Sequence, residues 1–367
     1  MSKIEKLIKE LCPDGVEHKK MCEIMKNISP PKKITKNDYL TDGKYPILDQ
    51  GQKFIVGYTN DEKSIMPEDE YIIFGDHTCE IKYINMSFSQ GADGIKILKT
   101  VNKHNMCKFI YYAFKKLNFL PIGYQRHWNI AKDLTIPIPP LPIQEEIVRI
   151  LDKFTQLEAE LEAELEARKK QYEYYRNNLL SFDADFVERE YLLYNKKKRI
   201  GDFAKILYGK DYRALPEGNI PVYGTGGIIN YVGRYIFNKS SIILPRKGSL
   251  KNVFYCEKHF WATDTTFYLE IDETVVRPKY LYYFLLTQKL EDLNIAGGVP
   301  SLTREDIIRI YVPIPSLETQ EQIVEILDRF DMLVNDLRSG LPAEINARRK
   351  QYEYYRDKLL SFREKHI

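Results

Sequence analysis

Twelve residues from the middle of this chain return almost unchanged near its end. Residues 171–182 read QYEYYRNNLLSF and residues 351–362 read QYEYYRDKLLSF, with ten of twelve positions identical at an offset of 180. A second block repeats upstream. Residues 136–154, IPIPPLPIQEEIVRILDKF, match residues 312–330, VPIPSLETQEQIVEILDRF, at an offset of 176. The four extra residues fall within 333–343. A chain that repeats whole segments at such long spacing is built from two related bodies, which removes most single-domain architectures from consideration.

The repeated blocks carry a helical period. Apolar or aromatic residues step by three and four through Ile147, Ile150, Phe154, Leu157, Leu161 and Leu165, then through Tyr172, Tyr175, Leu179 and Phe182. The second copy runs through Ile323, Ile326, Phe330, Leu333, Leu337, Leu341 and Ile345, then Tyr352, Tyr355, Leu359 and Phe362. This is the seam of a coiled coil. Gly340 and Pro342 interrupt the second copy, where the extra residues lie. Pro142 followed by Gln144-Glu145-Glu146 marks the first helix start, and Thr319 with Gln322 fits a capping box for the second. A helix over 144–182 spans about 58 Å. The two helices are expected to pair with each other, antiparallel, as a spacer rod; ordinary core helices are the plainer alternative.

The segments before each helix match more weakly. Residues 44–48 and 56–58 correspond to 219–223 and 232–235, residues 71–75 to 241–245, and residues 109–112 to 280–283. Most are short, β-branched and aromatic, and broken by Gly, Asn and Asp, as strands and turns are; the last pair is expected in short helices. The fold class expected is α+β, with two α/β domains in tandem, separated and followed by long helices, in a pseudo-twofold repeat. The boundaries read as residues 1–142 and 183–316 for the domains, and 143–182 and 317–363 for the helices.

Charge and composition narrow the function. Lys plus Arg is 55 against 52 for Asp plus Glu, a formal charge of +3. That balance does not announce a nucleic-acid binder, but it allows a basic face if acids are segregated elsewhere. They partly are: Glu158, Glu160, Glu162, Glu164 and Glu166 crowd onto the first helix, a solvated or docking face. Five scattered cysteines at no zinc-like spacing indicate a reduced compartment without a disulfide frame. No segment reads as a signal peptide or membrane span, so a cytoplasmic location is expected.

A search for catalytic machinery returns nothing defensible. Pro30-Pro31 lacks the flanks of an adenine-methyltransferase loop. Gly224-Thr225-Gly226-Gly227 is followed by a strand pattern, whereas a phosphate or dinucleotide loop must open a helix. There is no Walker A motif. His77 and Cys79 lack the second ligand pair that a metal needs. No catalytic residue, metal ligand or cofactor bound by this chain is expected.

With its two dissimilar domains, its Pro137-Ile138-Pro139 and Pro313-Ile314-Pro315 blocks, Gln144-Glu145-Glu146-Ile147, Gln320-Glu321-Gln322-Ile323 and the two QYEYYR blocks, the chain resembles the specificity subunit of type I restriction–modification systems over nearly its whole length. The resemblance implies that each domain is a target recognition domain reading one half of a bipartite double-stranded DNA site. It implies a coiled coil holding the domains apart, two modification subunits docked on it that methylate adenine, and restriction subunits able to join. S-adenosylmethionine, ATP and Mg would then sit on those partners. A rod of tens of Å suits a spacer of about ten to seventeen base pairs. The competing reading is a stand-alone coiled-coil scaffold that bridges protein partners without reading DNA.

Base reading needs directional donors, and phosphate anchoring needs Lys, Arg and small polar groups, on loops. In the first domain the candidates are Lys32 and Lys33, then His77 and Thr78 beside Asp76, then Gln125, Arg126 and His127 within the run 124–128. In the second they are Arg213, then Arg246, Lys247, Ser249 and Lys251, then Thr303 and Arg304. The repeat places His77 near Lys247 and residues 125–128 near 298–303. Ordinary solvated loops are the alternative for each. The basic run 194–199 reads as a linker, and the QYEYYR tyrosines read as seam residues, with docking to the modification subunits open for the exposed positions.

Overall fold

The computed structural model describes residues 3–91, 94–102, 104–123, 125–181, 196–293, 299–336 and 339–365. The chain divides into two compact units, residues 1–161 with 345–367 and residues 162–344. Neither is a simple half of the sequence. The first long helix is shared between them, and the C-terminal helix completes the first unit.

The first unit contains α1 (Lys3–Leu11), α2 (Met21–Ile24), α3 (Cys107–Lys116), α4 (Trp128–Ala131) and the beginning of α5 (Leu141–Ser181). Its strands are β1 (Glu17–Lys20), β2 (Met25–Ile28), β3 (Tyr45–Leu48), β4 (Gly57–Thr59), β5 (Ile65–Met66), β6 (Tyr71–Gly75), β7 (Ile81–Ile84), β8 (Phe88–Gln90), β9 (Ile95–Thr100) and β10 (Thr135–Ile138). The second unit holds β11 (Lys196–Arg199), β12 (Ala204–Tyr208), β13 (Glu217–Gly224), β14 (Gly227–Val232), β15 (Ser241–Pro245), β16 (Phe254–Cys256), β17 (Trp261–Ala262) and β18 (Thr266–Ile271). There follow α6 (Pro278–Leu285), α7 (Arg304–Ile308), β19 (Tyr311–Ile314) and α8 (Leu317–Asn335), and the chain closes with α9 (Leu341–Leu359).

The weak repeat seen in the sequence is a repeat of topology in all but one strand, β5. The sheet order β2-β9-β6-β7 recurs as β12-β18-β15-β16, β4-β3-β8-β5 recurs as β14-β13-β17, and the ribbon β1-β10 recurs as β11-β19. The central strand of each larger sheet is buried on both faces. In β6, Ile72 and Phe74 join the core against α3 and α5, while Tyr71 and Ile73 face the second sheet. In β15, Ile242 and Leu244 face one core and Ile243 the other. Alternating side chains along a strand make one short apolar run serve two layers.

The motif IPxP…Q earns its repetition through one glutamine. Gln144 is buried; its amide donates to Pro139 O at 2.7 Å and its Oε1 accepts from the Met106 N–H at 2.9 Å. Gln320, also buried, donates to Pro315 O at 2.9 Å and accepts from the Arg277 N–H at 2.8 Å. Met106 and Arg277 are the N-caps of α3 and α6. Neither offers a side-chain cap, so the glutamine satisfies one of the free N–H groups at each helix start. Just over two turns further on, Asp152 takes Lys108 at 2.7 Å and the Tyr112 hydroxyl at 2.6 Å. Asp328 takes Lys279 at 2.8 Å and the Tyr283 hydroxyl at 2.5 Å. Each long helix is thereby locked to its own domain at two equivalent points.

The expected antiparallel pairing is present within each unit. In the first, Phe154 of α5 meets Tyr352 and Tyr355 of α9, and Glu158 pairs with Arg349 at 2.5 Å, so the numbers run in opposite directions. In the second, Tyr172 and Tyr175 of α5 meet Phe330 of α8. One detail differs from expectation. The second repeat helix is capped by Ser316, whose Oγ accepts from the Thr319 N–H at 3.2 Å, so it begins at Leu317, before the expected Thr319 cap. It then breaks into α8 and α9, as Gly340 and Pro342 suggested. A β-carbon on Gly340 would stand 2.5 Å from Met332 O, so only glycine fits this turn.

The C-terminal segment is part of the first unit's fold. The Val16 N–H donates to Arg363 O and the Lys365 N–H to Val16 O, both at 2.9 Å. Leu360 is buried in the same core as α3, and Lys116 donates to its carbonyl at 3.0 Å. No helix among the described residues is long and apolar enough to cross a membrane.

Candidate nucleic-acid interface

The loop that follows β6 and the segment that precedes α4 are bound together. The His127 N–H donates to Asp76 O at 2.8 Å, and Asp76 Oδ1 accepts from the Trp128 N–H at 2.9 Å, capping α4. His77 Nδ1 lies 3.0 Å from Gln125 O. On its other side the loop is held by Gln50, whose Oε1 accepts from the His77 N–H at 3.2 Å and whose carbonyl accepts from the Thr78 hydroxyl at 2.6 Å. Asp76 is buried and answered by Lys96 at 3.6 Å. His77, Thr78, Gln125 and Arg126 therefore share one edge of the unit, and Thr78, Gln125 and Arg126 are exposed there.

His127 departs from the expectation that it faces DNA. It is fully buried. Its Nε2 accepts from the Ile122 N–H at 2.8 Å and its Nδ1 lies 3.0 Å from Asp76 O. Both ring nitrogens tie loops together, and neither reaches solvent. Lys32 is exposed and paired with Asp61 at 2.6 Å, which holds its ammonium above its ordinary pKa. Lys33 is exposed beside Ile34, whose N–H donates to Gln90 O at the end of β8. Tyr124 lies outside the described residues.

The second unit uses the same frame with other side chains. The Leu302 N–H donates to Arg246 O at 3.0 Å, as His127 does to Asp76, and the Gly248 N–H donates to Pro300 O at 2.9 Å. Lys247 bridges Ser301 through the backbone. The expected correspondence of His77 with Lys247, and of the 125–128 run with the segment before α7, is thus a hydrogen-bonded one in both units. Where the first unit has a buried aspartate, the second has Arg246, its guanidinium 5.6 Å from the Tyr208 ring centre and donating to Asp264 O at 2.8 Å.

The remaining residues divide. Ser249 and Arg304 are exposed at this edge, and Lys251 is exposed with Glu291 at 3.5 Å. Arg213 is exposed, 3.8 Å from Asp211. Thr303 is exposed and engaged locally: its hydroxyl accepts from the Asp306 N–H at 3.2 Å and donates to the Asp306 carboxylate at 2.7 Å. It is the N-cap of α7, with both roles of its hydroxyl engaged. Residue 298 and the segment 182–195 lie outside the described residues.

Sequence reasoning missed the residues that hold the loops rather than present them. Gln50 is one. Lys82 is another: it is buried, it donates to Asp49 O at 3.0 Å and Lys53 O at 2.5 Å, and burial pushes its pKa down. The only signal for Gln50 was a polar run, DQGQK, between two strand patterns, and Lys82 lies inside the strand β7. Among the described residues no group of three His, Cys, Asp or Glu is placed to hold a metal. Gly224-Thr225-Gly226-Gly227 forms the turn between β13 and β14 and opens no helix.

Comparison with known proteins bears on this frame. A family described as the type I restriction modification DNA specificity domain matches residues 13–167 and again residues 194–347. The chain belongs to this family. The two matched stretches are the two copies of the repeat, each running from the first strands of a domain into its long helix. The EcoR124I/EcoR124II specificity subunit of Escherichia coli is 33% identical over 99% of this chain and 97% of its own length. A putative type I restriction enzyme specificity subunit of Haemophilus influenzae is 29% identical over 95% of this chain and 96% of its own. In fold, the chain is similar to the S subunit of the type I restriction–modification system from M. genitalium, with a TM-score of 0.66 at 19% identity, over 94% of this chain and 96% of that one.

Proposed function

We propose that this chain is the DNA sequence-specificity subunit of a type I restriction–modification complex. Family membership across both repeats supports the assignment. The observation that carries it is the pair of equivalent loop frames with unlike exposed chemistry: Thr78, Gln125 and Arg126 stand on the frame of one unit, and Lys247, Ser249 and Arg304 on that of the other. Two bodies of one topology that differ at the same exposed edge suit two different half-sites. Each unit reads one half of a bipartite, asymmetric double-stranded DNA site. The donors of His77, Gln125 and Arg126, and of Arg246, Lys247 and Ser249, meet base edges, and Lys32, Lys33, Arg213, Lys251 and Arg304 meet phosphates.

The chain contributes recognition, and the chemistry belongs to its partners. Two modification subunits dock on it and methylate adenine with S-adenosylmethionine, and restriction subunits that use ATP and Mg join the complex. The assembly works on DNA in the cytoplasm.

Genome-wide mapping of adenine methylation tests this in cells that express the chain with its modification subunit, with residues 183–316 intact or exchanged for another recognition domain. A bipartite motif in which only one half changes is the expected result. No motif, or one indifferent to the exchange, would leave the protein-bridging scaffold as the better reading.

A further inference from the structure

Each unit carries one more turn bonded to this edge. In the first unit it joins β3 to β4 across residues 49–56. In the second it joins β13 to β14 at Thr225 and Gly226. Register makes them equivalent: β3 runs parallel to β8 through Leu48 and Gln90, and β13 runs parallel to β17 through Tyr223 and Ala262. Each is tied to the recognition loop beside it. Gln50 receives His77 and Thr78, and Asn252 Nδ2 donates to Thr225 O at 2.7 Å.

Each turn is also supported from the same position beneath it. Lys82 pairs with Ile73 of β6, and Phe254 with Ile243 of β15. Lys82 grips two carbonyls of its turn, those of Asp49 and Lys53. Phe254 lies 3.8 Å from where a β-carbon on Gly227 would stand, and its ring centre is 5.9 Å from that of Tyr223. A turn held this way has its conformation before a ligand arrives, which lowers the ordering cost of binding.

What the two turns present is different. The first offers the exposed amide of Gln52 and the exposed Lys53. The second offers Ile228 and Ile229, 49% and 52% exposed. Both lie where the pairing of β13 with β14 shifts register, Tyr223 opposite Ile228 and Val222 opposite Asn230, so this hairpin end leaves two apolar side chains open to solvent. Folding gains little from either isoleucine. An amide suits the paired donor and acceptor of adenine, and a branched apolar side chain suits the thymine methyl.

We infer that these two turns are a further base-reading element of each unit, Gln52 in the first half-site and Ile228 with Ile229 in the second. The inference rests on the proposed function.

The test maps methylated motifs for the full chain with its modification subunit, comparing wild type with Gln52→Ala, Gln52→Glu and the double variant Ile228→Ser/Ile229→Ser. Circular dichroism melts confirm that each variant is folded. Gln52→Ala is expected to lower discrimination at one base pair of the first half-site by about five- to a hundredfold. Gln52→Glu should move preference there toward cytosine, because a carboxylate accepts from the cytosine amino group. The isoleucine variant should relax one position in the other half-site and leave the first untouched. Wild-type motifs at wild-type methylation levels in all three variants would overturn the inference. So would an unchanged motif with weakened capture of the modification subunit, which would make the hairpin a protein-docking edge. A wild-type chain yielding no bipartite motif would overturn the functional reading itself, and this inference with it.

Discussion

Phe154 stacks on Tyr355, ring centres 5.4 Å apart and planes 25° from parallel. In the other unit Phe330 stacks on Tyr175 at 5.6 Å and 27°. The phenylalanine ends the IPxP…Q block and the tyrosine belongs to the QYEYYR block, so the two repeated motifs exist to meet each other. Half-buried aromatic pairs add about 1 kcal/mol beyond the area they cover. Phe154→Ala should destabilise the chain by about 2 kcal/mol in urea unfolding. A double-mutant cycle with Tyr355→Ala should return a coupling of about 1 kcal/mol. Additive effects would show that the stack contributes only its separate areas.

Gln144 and Gln320 are the most exacting positions in the repeat. Gln144→Leu keeps the volume but leaves the Met106 N–H and the Pro139 carbonyl unpaired. The expected loss is about 2–4 kcal/mol, seen as a shift of the urea midpoint without a change in slope. Gln320→Leu should act equally on the second unit. A loss below about 1 kcal/mol in either would mean that water takes over the glutamine's bonds.

Glu146 sets a dependence on acid. Arg149 at 2.6 Å, with Lys3 at 2.9 Å, holds its carboxyl down to about 2, against the opposing effect of burial. A carboxyl depressed in the folded state stabilises it above the unfolded pKa of about 4.3, and that contribution is lost as pH falls toward 2. Wild type should therefore be more stable than Glu146→Gln at pH 7, with the gap closing between about pH 4.5 and 2. A gap that persists unchanged at pH 2.5 would assign the difference to packing.

The long helix α5 runs unbroken from Leu141 to Ser181 and belongs to both units. Inserting one helical turn near residue 161 is expected to lengthen the unread spacer of the methylated motif by one or two base pairs, about 6 Å of rise. Both half-sites should stay the same. An unchanged spacer would count against the helices as a ruler.

Much of the fold was legible in the sequence because it is written in local periodicity. The seam contacts of Phe154 and Phe330, the helix break at Gly340 and Pro342, and the strands at 71–75 and 241–245 follow from spacing, a property of neighbours along the chain, although Leu157, Ile326 and Leu333 of the expected seam are exposed and Leu337 lies outside the described residues. The repeat also paired His77 with Lys247 correctly. Whether a loop side chain is seen by a ligand is another kind of question. His127 and Gln125 look equally available in sequence, two residues apart. Only the packing of residue 122 and residue 76 around the imidazole buries one and leaves the other in water. Thr303 reads as a donor until Asp306, three residues on, occupies its hydroxyl. Gln50 and Lys82 read as solvated polar residues until the turn they grip is in place. The sequence alone determined that there are two equivalent bodies with paired helices, because identity and period need no partner to be read. The tertiary structure decided which C-terminal segment completes the first body and which donors remain exposed, because burial depends on contacts between residues far apart in the chain.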